Sequence, residues 1–117
     1  MSCYSNDVVT TPGIIILSPN YPNNYDNFCD SKLTINFVGT ISLRFESFDI
    51  EYQESCDIDW LEIRDGNSFE SDRIGSKLCG SDIPDPIESS GQSLMLRFQS
   101  DDSFNAKGFK IHAKIGI

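Results

Sequence analysis

Residues 54–66, ESCDIDWLEIRDG, place Glu54, Cys56, Asp57 and Asp59 within six positions, just before an apolar-alternating stretch that begins at Trp60. Carboxylates this close repel one another, so a folded chain gathers them only to hold a cation, to do acid–base chemistry, or to keep them solvated. Acid–base chemistry has little support. A carboxylate pair such as Glu51 and Asp59 suits glycoside hydrolysis in principle, but a metal shell that occupies both leaves neither free. Ser-His-Asp and Cys-His systems need a histidine in a cleft. The one histidine, His112, alternates with Ile111 and Ala113 in KIHAKI and reads as a solvated residue between Lys110 and Lys114. The sequence has no Gly-rich phosphate loop, and the expectation is a non-enzyme.

Composition points the same way. Nine Lys and Arg against eighteen Asp and Glu give 117 residues a net charge of -9, which disfavours nucleic acid or an acidic membrane surface as a partner. Cations are favoured, as metal ions or as basic groups on another protein. An EF-hand does not fit DIDWLEIRDG, because that loop needs glycine at its sixth position and glutamate at its twelfth. The four cysteines, Cys3, Cys29, Cys56 and Cys79, contain no CxxC pair and stand beside a single histidine, so disulfides are a better reading than zinc. Paired in sequence order they close loops worth about 3 to 3.5 kcal/mol each in the chain-entropy model. Such bonds persist in oxidising compartments, so the protein is expected to be secreted. No signal peptide is visible, and Met1 reads as an expression start on an excised or mature domain. No stretch is long and apolar enough to insert in a bilayer.

The elements that must position these carboxylates are strands. KLTINF puts Leu33, Ile35 and Phe37 on one face, and ISLRF does the same with Ile41, Leu43 and Phe45. WLEIR alternates through Leu61 and Ile63. SLMLRFQ turns Leu94, Leu96 and Phe98 inward and Ser93, Met95, Arg97 and Gln99 outward; GFKIHAKI turns Phe109, Ile111, Ala113 and Ile115 inward. GIIIL (13–17) has no phase and suits a strand covered on both faces. SPNYPNNY, DGNS, IPDP, SSGQ and DDSF supply the reversals. Length and spacing predict one domain over 1–117, an antiparallel β-sandwich.

GIIILSPNYPNNY, then Cys29, LRFESFDIEYQESCDIDWLEIRDG, KLCG, SSGQSLMLRFQSDDS and GFKIHAK together resemble a CUB domain from Cys3 to about Ile115. The resemblance departs at Tyr4, where many members have glycine. It implies a jelly-roll-like sandwich with disulfides Cys3–Cys29 and Cys56–Cys79.

Glu51 and Asp59 close and open the connection between two strands, and Asp101 follows a third, so all three carboxylates can meet at one end of the sandwich. Three hard oxygen donors there suit calcium, which takes about six to eight oxygens. The resemblance implies the same ligands: Glu51 in DIE, Asp59 before Trp60 and Asp101 in SDDS. Main-chain donation comes from the same turn, at Ser103 or a neighbour, and Tyr25 supports the cluster. Asp102 and Phe104 depart from the family pattern; the acid adds cation attraction, and Phe104 offers only its main chain. Asp49, Glu54 and Asp57 read as surface charge, and Tyr21, Phe45, Phe48 and Trp60 as packing. The reading is an extracellular calcium-dependent interaction module whose acidic loops receive a Lys or Arg of a partner protein. The competing readings are a calcium-independent structural or self-associating domain forming a homo-oligomer, and spermadhesin-like carbohydrate binding.

Overall fold

The computed structural model describes residues 1–102 and 105–116. Its strands are β1 (Asn6–Val9), β2 (Ile14–Leu17), β3 (Asp30–Asn36), β4 (Ile41–Asp49), β5 (Trp60–Arg64), β6 (Ile87–Glu88), β7 (Ser93–Gln99) and β8 (Gly108–Ile115). They form two four-stranded sheets, in the orders β1-β3-β7-β5 and β2-β8-β4-β6. Every named pair is antiparallel except β1 with β3, which is parallel. The expected all-β sandwich is thus present, with one parallel edge.

Period-two patterning builds the core. Leu33 and Ile35 on β3, Leu43 and Phe45 on β4, Leu61 and Ile63 on β5, Leu94, Leu96 and Phe98 on β7, and Phe109, Ile111 and Ala113 on β8 all point between the sheets and are buried. Two edge-on aromatic contacts cross the inner layer at the end that matters for function: Tyr25 packs on Phe98 with ring centroids 4.9 Å apart, and Phe98 on Phe109 at 5.6 Å. Gly108 completes this corner with φ near 85°, and a Cβ there would stand 1.9 Å from Ser18 Oγ. That oxygen accepts the Phe109 amide at 2.9 Å, so only glycine lets β8 start this close to the turn after β2.

Four expectations are corrected. GIIIL is not covered on both faces: β2 is the edge of its sheet, and Ile16 is buried while Ile15 is 51% exposed. A uniformly apolar run carries no phase, and here it reports an edge rather than a centre. Met95 is buried although it lies on the outer face of its sheet. The segment after β5 folds back along it, with Ile74 N donating to Ile63 O and Leu78 bridging Leu61. Phe69 reaches across to Lys32 and Arg97, and Lys77 sits 4.3 Å over the Trp60 ring. This second layer gives Trp60, Glu62 and Met95 their cover. The third correction is Ile115, expected inward and 36% exposed at the fraying end of β8. His112, the fourth, is half-buried and hydrogen-bonded rather than solvated: its Nε2 lies 2.6 Å from Glu46 Oε1.

Both disulfides join the segments that flank the acidic end. Cys3–Cys29 ties the N-terminal segment to the turn before β3, and Cys56–Cys79 ties the β4–β5 connection to the segment that returns along β5. No cysteine is free. Replacing Cys56 and Cys79 together by alanine lowers the unfolding free energy by about 2 to 5 kcal/mol, read by urea denaturation. A loss below about 1 kcal/mol would show that the β4–β5 connection is held without the bond.

Candidate metal centre

Sheet register explains why the carboxylates meet. In the antiparallel β5–β7 pair Trp60 stands opposite Gln99, so the residues just past the pair, Asp59 before β5 and Ser100 with Asp101 after β7, emerge side by side. Glu51 follows β4 of the opposite sheet, after the Ile50–Gly80 bridge has fixed the strand's end. The cluster therefore joins both layers. One carboxylate oxygen each from Glu51, Asp59 and Asp101 lies within 4.8 Å of the others.

Asp59 is fully buried. Its Oδ2 accepts the Tyr25 hydroxyl at 2.6 Å and its Oδ1 accepts the Asp101 amide at 2.8 Å. The Tyr25 oxygen in turn accepts the Glu51 amide at 3.1 Å. Tyr25, from the loop between β2 and β3, thus holds two of the three acidic residues in place, and its own ring is anchored on Phe98. The expected supporting role of this tyrosine has a concrete geometry. The main-chain donor expected at Ser103, like Phe104, lies outside the described residues.

The electrostatics are unfavourable for three anions alone. Burial pushes the Asp59 carboxyl above the ordinary aspartate range, and the charge of Asp101 adds to it, against the lowering effect of the Tyr25 and Asp101 hydrogen bonds. Burial also raises Glu51, with further contributions from Asp59, Asp101 and Asp102. The Tyr25 phenol is pushed far up by burial and then by the Asp59 carboxylate it faces, so it stays a donor. Glu51 Oε1 is buried without a hydrogen-bond partner among the described residues. A buried oxygen with no donor is costly unless a cation meets it.

These residues fit calcium. Ligands of one ion at about 2.3 to 2.6 Å stand at most about 5 Å apart, and the spacing of the cluster meets that limit. The hydrogen-bonded Asp59 oxygens keep lone pairs free for a metal. Asp57 is not brought into the cluster; it lies at the surface 3.7 Å from Lys77, and Glu54 is exposed.

Sequence reasoning missed the support from Ser100. Its Oγ accepts the Cys29 amide at 2.8 Å and donates to Asp26 O at 2.7 Å, while Phe28 N donates to Asp101 O at 2.8 Å. These bonds latch the turn that carries Asp101 to the loop that carries Tyr25. The signal was present: Leu94, Leu96, Phe98 and Ser100 form one inward series, and a hydroxyl in such a series must find partners.

The comparisons with known proteins agree with this architecture. The chain is 43% identical over 99 residues to bone morphogenetic protein 1 of Xenopus laevis, covering 83% of this chain and 14% of that protein. It is 42% identical over 96 residues to human tolloid-like protein 1, covering 80% and 9%, and 40% identical over 97 residues to cubilin of Canis lupus familiaris, covering 82% and 3%. The chain thus spans a small part of the relatives it matches. Among solved structures, the CUB1-EGF-CUB2 domain of human MASP-1/3 superposes with a TM-score of 0.85 at 28% identity, covering 98% of this chain and 43% of that one. The MASP-1 CUB2 domain bound to Ca2+ superposes with a TM-score of 0.83 at 30% identity, covering 94% and 98%. The relatives are secreted proteins, and two disulfides suit the same extracellular location. Residues 3–112 match the family model of the CUB domain, and the chain belongs to that family of protein-interaction modules of extracellular proteins.

Proposed function

We propose that this domain is a calcium-dependent interaction module in which Glu51, Asp59 and Asp101 hold the ion and present a surplus of negative charge to a Lys or Arg of a protein partner. The observation that carries the reading is the buried Glu51 Oε1, unpartnered among the described residues, within the three-carboxylate cluster. The relative solved with Ca2+ bound, MASP-1 CUB2, supports it by its 30% identity and matching fold. A bound calcium ion supplies two positive charges to a site of three carboxylates. The chain's own groups do the rest. Tyr25 and the Asp101 amide orient Asp59 from inside, so its carboxylate cannot turn away. Glu51 and Asp101, both half-buried, form the rim that a partner's ammonium or guanidinium can reach. One negative charge remains uncompensated, and a charge-assisted pair to a fixed carboxylate is worth about 1.5 to 3 kcal/mol. Main-chain donation from Ser103 belongs to the same proposal. No step is catalytic.

The direct test is a melting curve with calcium. At a hundredfold excess over Kd the ion adds about 2.7 kcal/mol, a rise of about 10 °C for a domain of this size. Magnesium adds less, because it needs tighter octahedral geometry and sheds water reluctantly. An unchanged curve across millimolar calcium would sink the reading. Asp59→Asn separates charge from shape: it keeps an acceptor, removes the buried charge, and is expected to be at least as stable as wild type in chelator while losing the calcium response. Tyr25→Phe deletes one donor to Asp59 and leaves the Glu51 amide without its acceptor, costing about 1 to 3 kcal/mol of stability and weakening calcium.

The pH dependence has a definite sign. The folded-state values of Asp59 and Glu51 lie above their unfolded ones, so the folded state binds more protons and their ionisation opposes folding. In chelator, the contribution of these two groups to stability therefore rises as pH falls through their raised folded-state values toward the ordinary carboxylate range. At lower pH the trend reverses. Asp30 is held low by its hydrogen bonds from Arg97, and Glu46 by His112 and then Lys110, so their protonation removes stability as pH falls through those depressed values. With calcium bound, acidification instead displaces the ion and lowers the melting temperature throughout. Parallel curves with and without calcium would contradict the assignment. For recognition, Nα-acetyl-lysine amide titrated by NMR is expected to perturb the acidic end with calcium and not in chelator; equal perturbation by the norleucine analogue would show that no ammonium site exists.

A further inference from the structure

The outer face of the sheet β2-β8-β4-β6 carries a charge opposite to the rest of the molecule. Register places Ile15, His112 and Arg44 in one row across β2, β8 and β4, and Ser42 beside Lys114 in the next. Lys110 continues the β8 series. A hollow of about 220 Å³ opens between Arg44, His112, Lys114 and Ser42 on one side and Gly13 with Ile14 on the other. Gly13, with φ near 82°, lines its edge without a side chain. At roughly 30 Å³ per water, the hollow holds a polyatomic anion and part of what bears it, and it is too small for a helix.

The basic residues of this face are differently engaged. Glu46 takes His112 Nε2 at 2.6 Å and Lys110 Nζ at 3.1 Å. Among the described residues Arg44 and Lys114 are exposed and make no ion pair. Glu88, the other carboxylate of this face, stands opposite Ser42 and borders the neighbouring hollow that Lys114 also lines. Two unpaired cations and the Ser42 hydroxyl around one concavity form a surface rich in donors. Arginine's forked N–H groups match a planar or tetrahedral oxyanion, and lysine adds a point charge.

We propose that this hollow binds a tetrahedral oxyanion, sulfate or phosphate, free or as an ester on a small molecule, through Arg44 and Lys114 with Ser42 as a further donor. The site is separate from the acidic cluster and does not depend on calcium. The net charge of -9 does not forbid it, because charges beyond about 8 Å are screened at physiological salt and the nearest groups dominate. It does weigh against long polyanions, which must also approach the acidic end.

The experiment titrates the domain by NMR, in chelator and at constant ionic strength, with sodium sulfate, inorganic phosphate, glucosamine 6-sulfate, glucose 6-phosphate and uncharged glucosamine derivatives as controls. Saturable shifts confined to residues around Arg44 and Lys114, with dissociation constants on the order of 1 to 10 mM, are expected from the oxyanions and not from the controls. Tighter binding of the esters assigns the site to an esterified ligand, and equal binding to the free ion. The variant Arg44→Ala with Lys114→Ala, both at exposed positions, is expected to weaken binding about tenfold or more with an unchanged melting temperature. Glu46→Gln frees Lys110 and His112 and tightens binding about two- to fivefold. The proposal is overturned by no saturable shift, by equal binding to wild type and the double variant, or by Glu46→Gln binding no tighter. It is also overturned if the face is masked by self-association, seen as concentration-dependent mass without added anion, since the occupant would then be a second copy.

Discussion

A carboxylate with no exposure, at the edge of an apolar core and beside two others, is the constraint from which the acidic end is built. Asp59 has no lysine or arginine partner among the described residues, and burying an ion without a counter-ion is costly. Two hydrogen bonds from Tyr25 and the Asp101 amide offset part of this cost. They do not remove it, since the carboxyl is still pushed up by burial. A carboxylate in such a place is relieved by a proton or by a cation.

The fold contributes the geometry that makes the choice sharp. Glu51 comes from one sheet and Asp59 and Asp101 from the other, so their separation is fixed by how the two layers stack, and that stacking is fixed by Phe98, Phe109 and the Tyr25 ring. The same tyrosine belongs to the core by its ring and to the site by its oxygen. Ser100 extends this logic one step outward, fastening the Asp101 turn to the loop that Cys3–Cys29 staples. Loops that would otherwise sample many conformations are held by their roots.

How much of this the sequence carried depended on what set each feature. Alternation placed Leu33, Ile35, Leu43, Phe45, Leu94, Leu96 and Phe98 inward, because sheet faces impose period two whatever the topology. The meeting of Glu51, Asp59 and Asp101 was legible because each lies at a strand end, where register alone decides the neighbour. Ile15 and Met95 were misplaced for opposite reasons: a run of isoleucines does not say whether its strand is an edge, and no local pattern reveals that a distant loop will return to cover an outer face. His112 was read as solvated because its partner, Glu46, sits on another strand, at the bulge between Phe45 and Ser47. Cross-strand polar pairs depend on pairing partners, which a single chain does not print.

Net charge taught a narrower lesson than it first suggested. A value of -9 describes the far field and the partners it repels during encounter. Contact is decided within about one Debye length, and there the molecule is divided: acidic loops at one end of the sandwich, and Arg44, Lys110, His112 and Lys114 along an open sheet face with Glu46 and Glu88 as the opposing charges. The division follows from strand geometry. Alternation sends every second residue of β8 to the same side, so three basic residues two apart must form a row, just as three acidic residues at strand ends must form a cluster. A sandwich therefore separates charge by position in the strand, interior against terminus, and a chain with one overall sign can still present two surfaces of opposite chemistry.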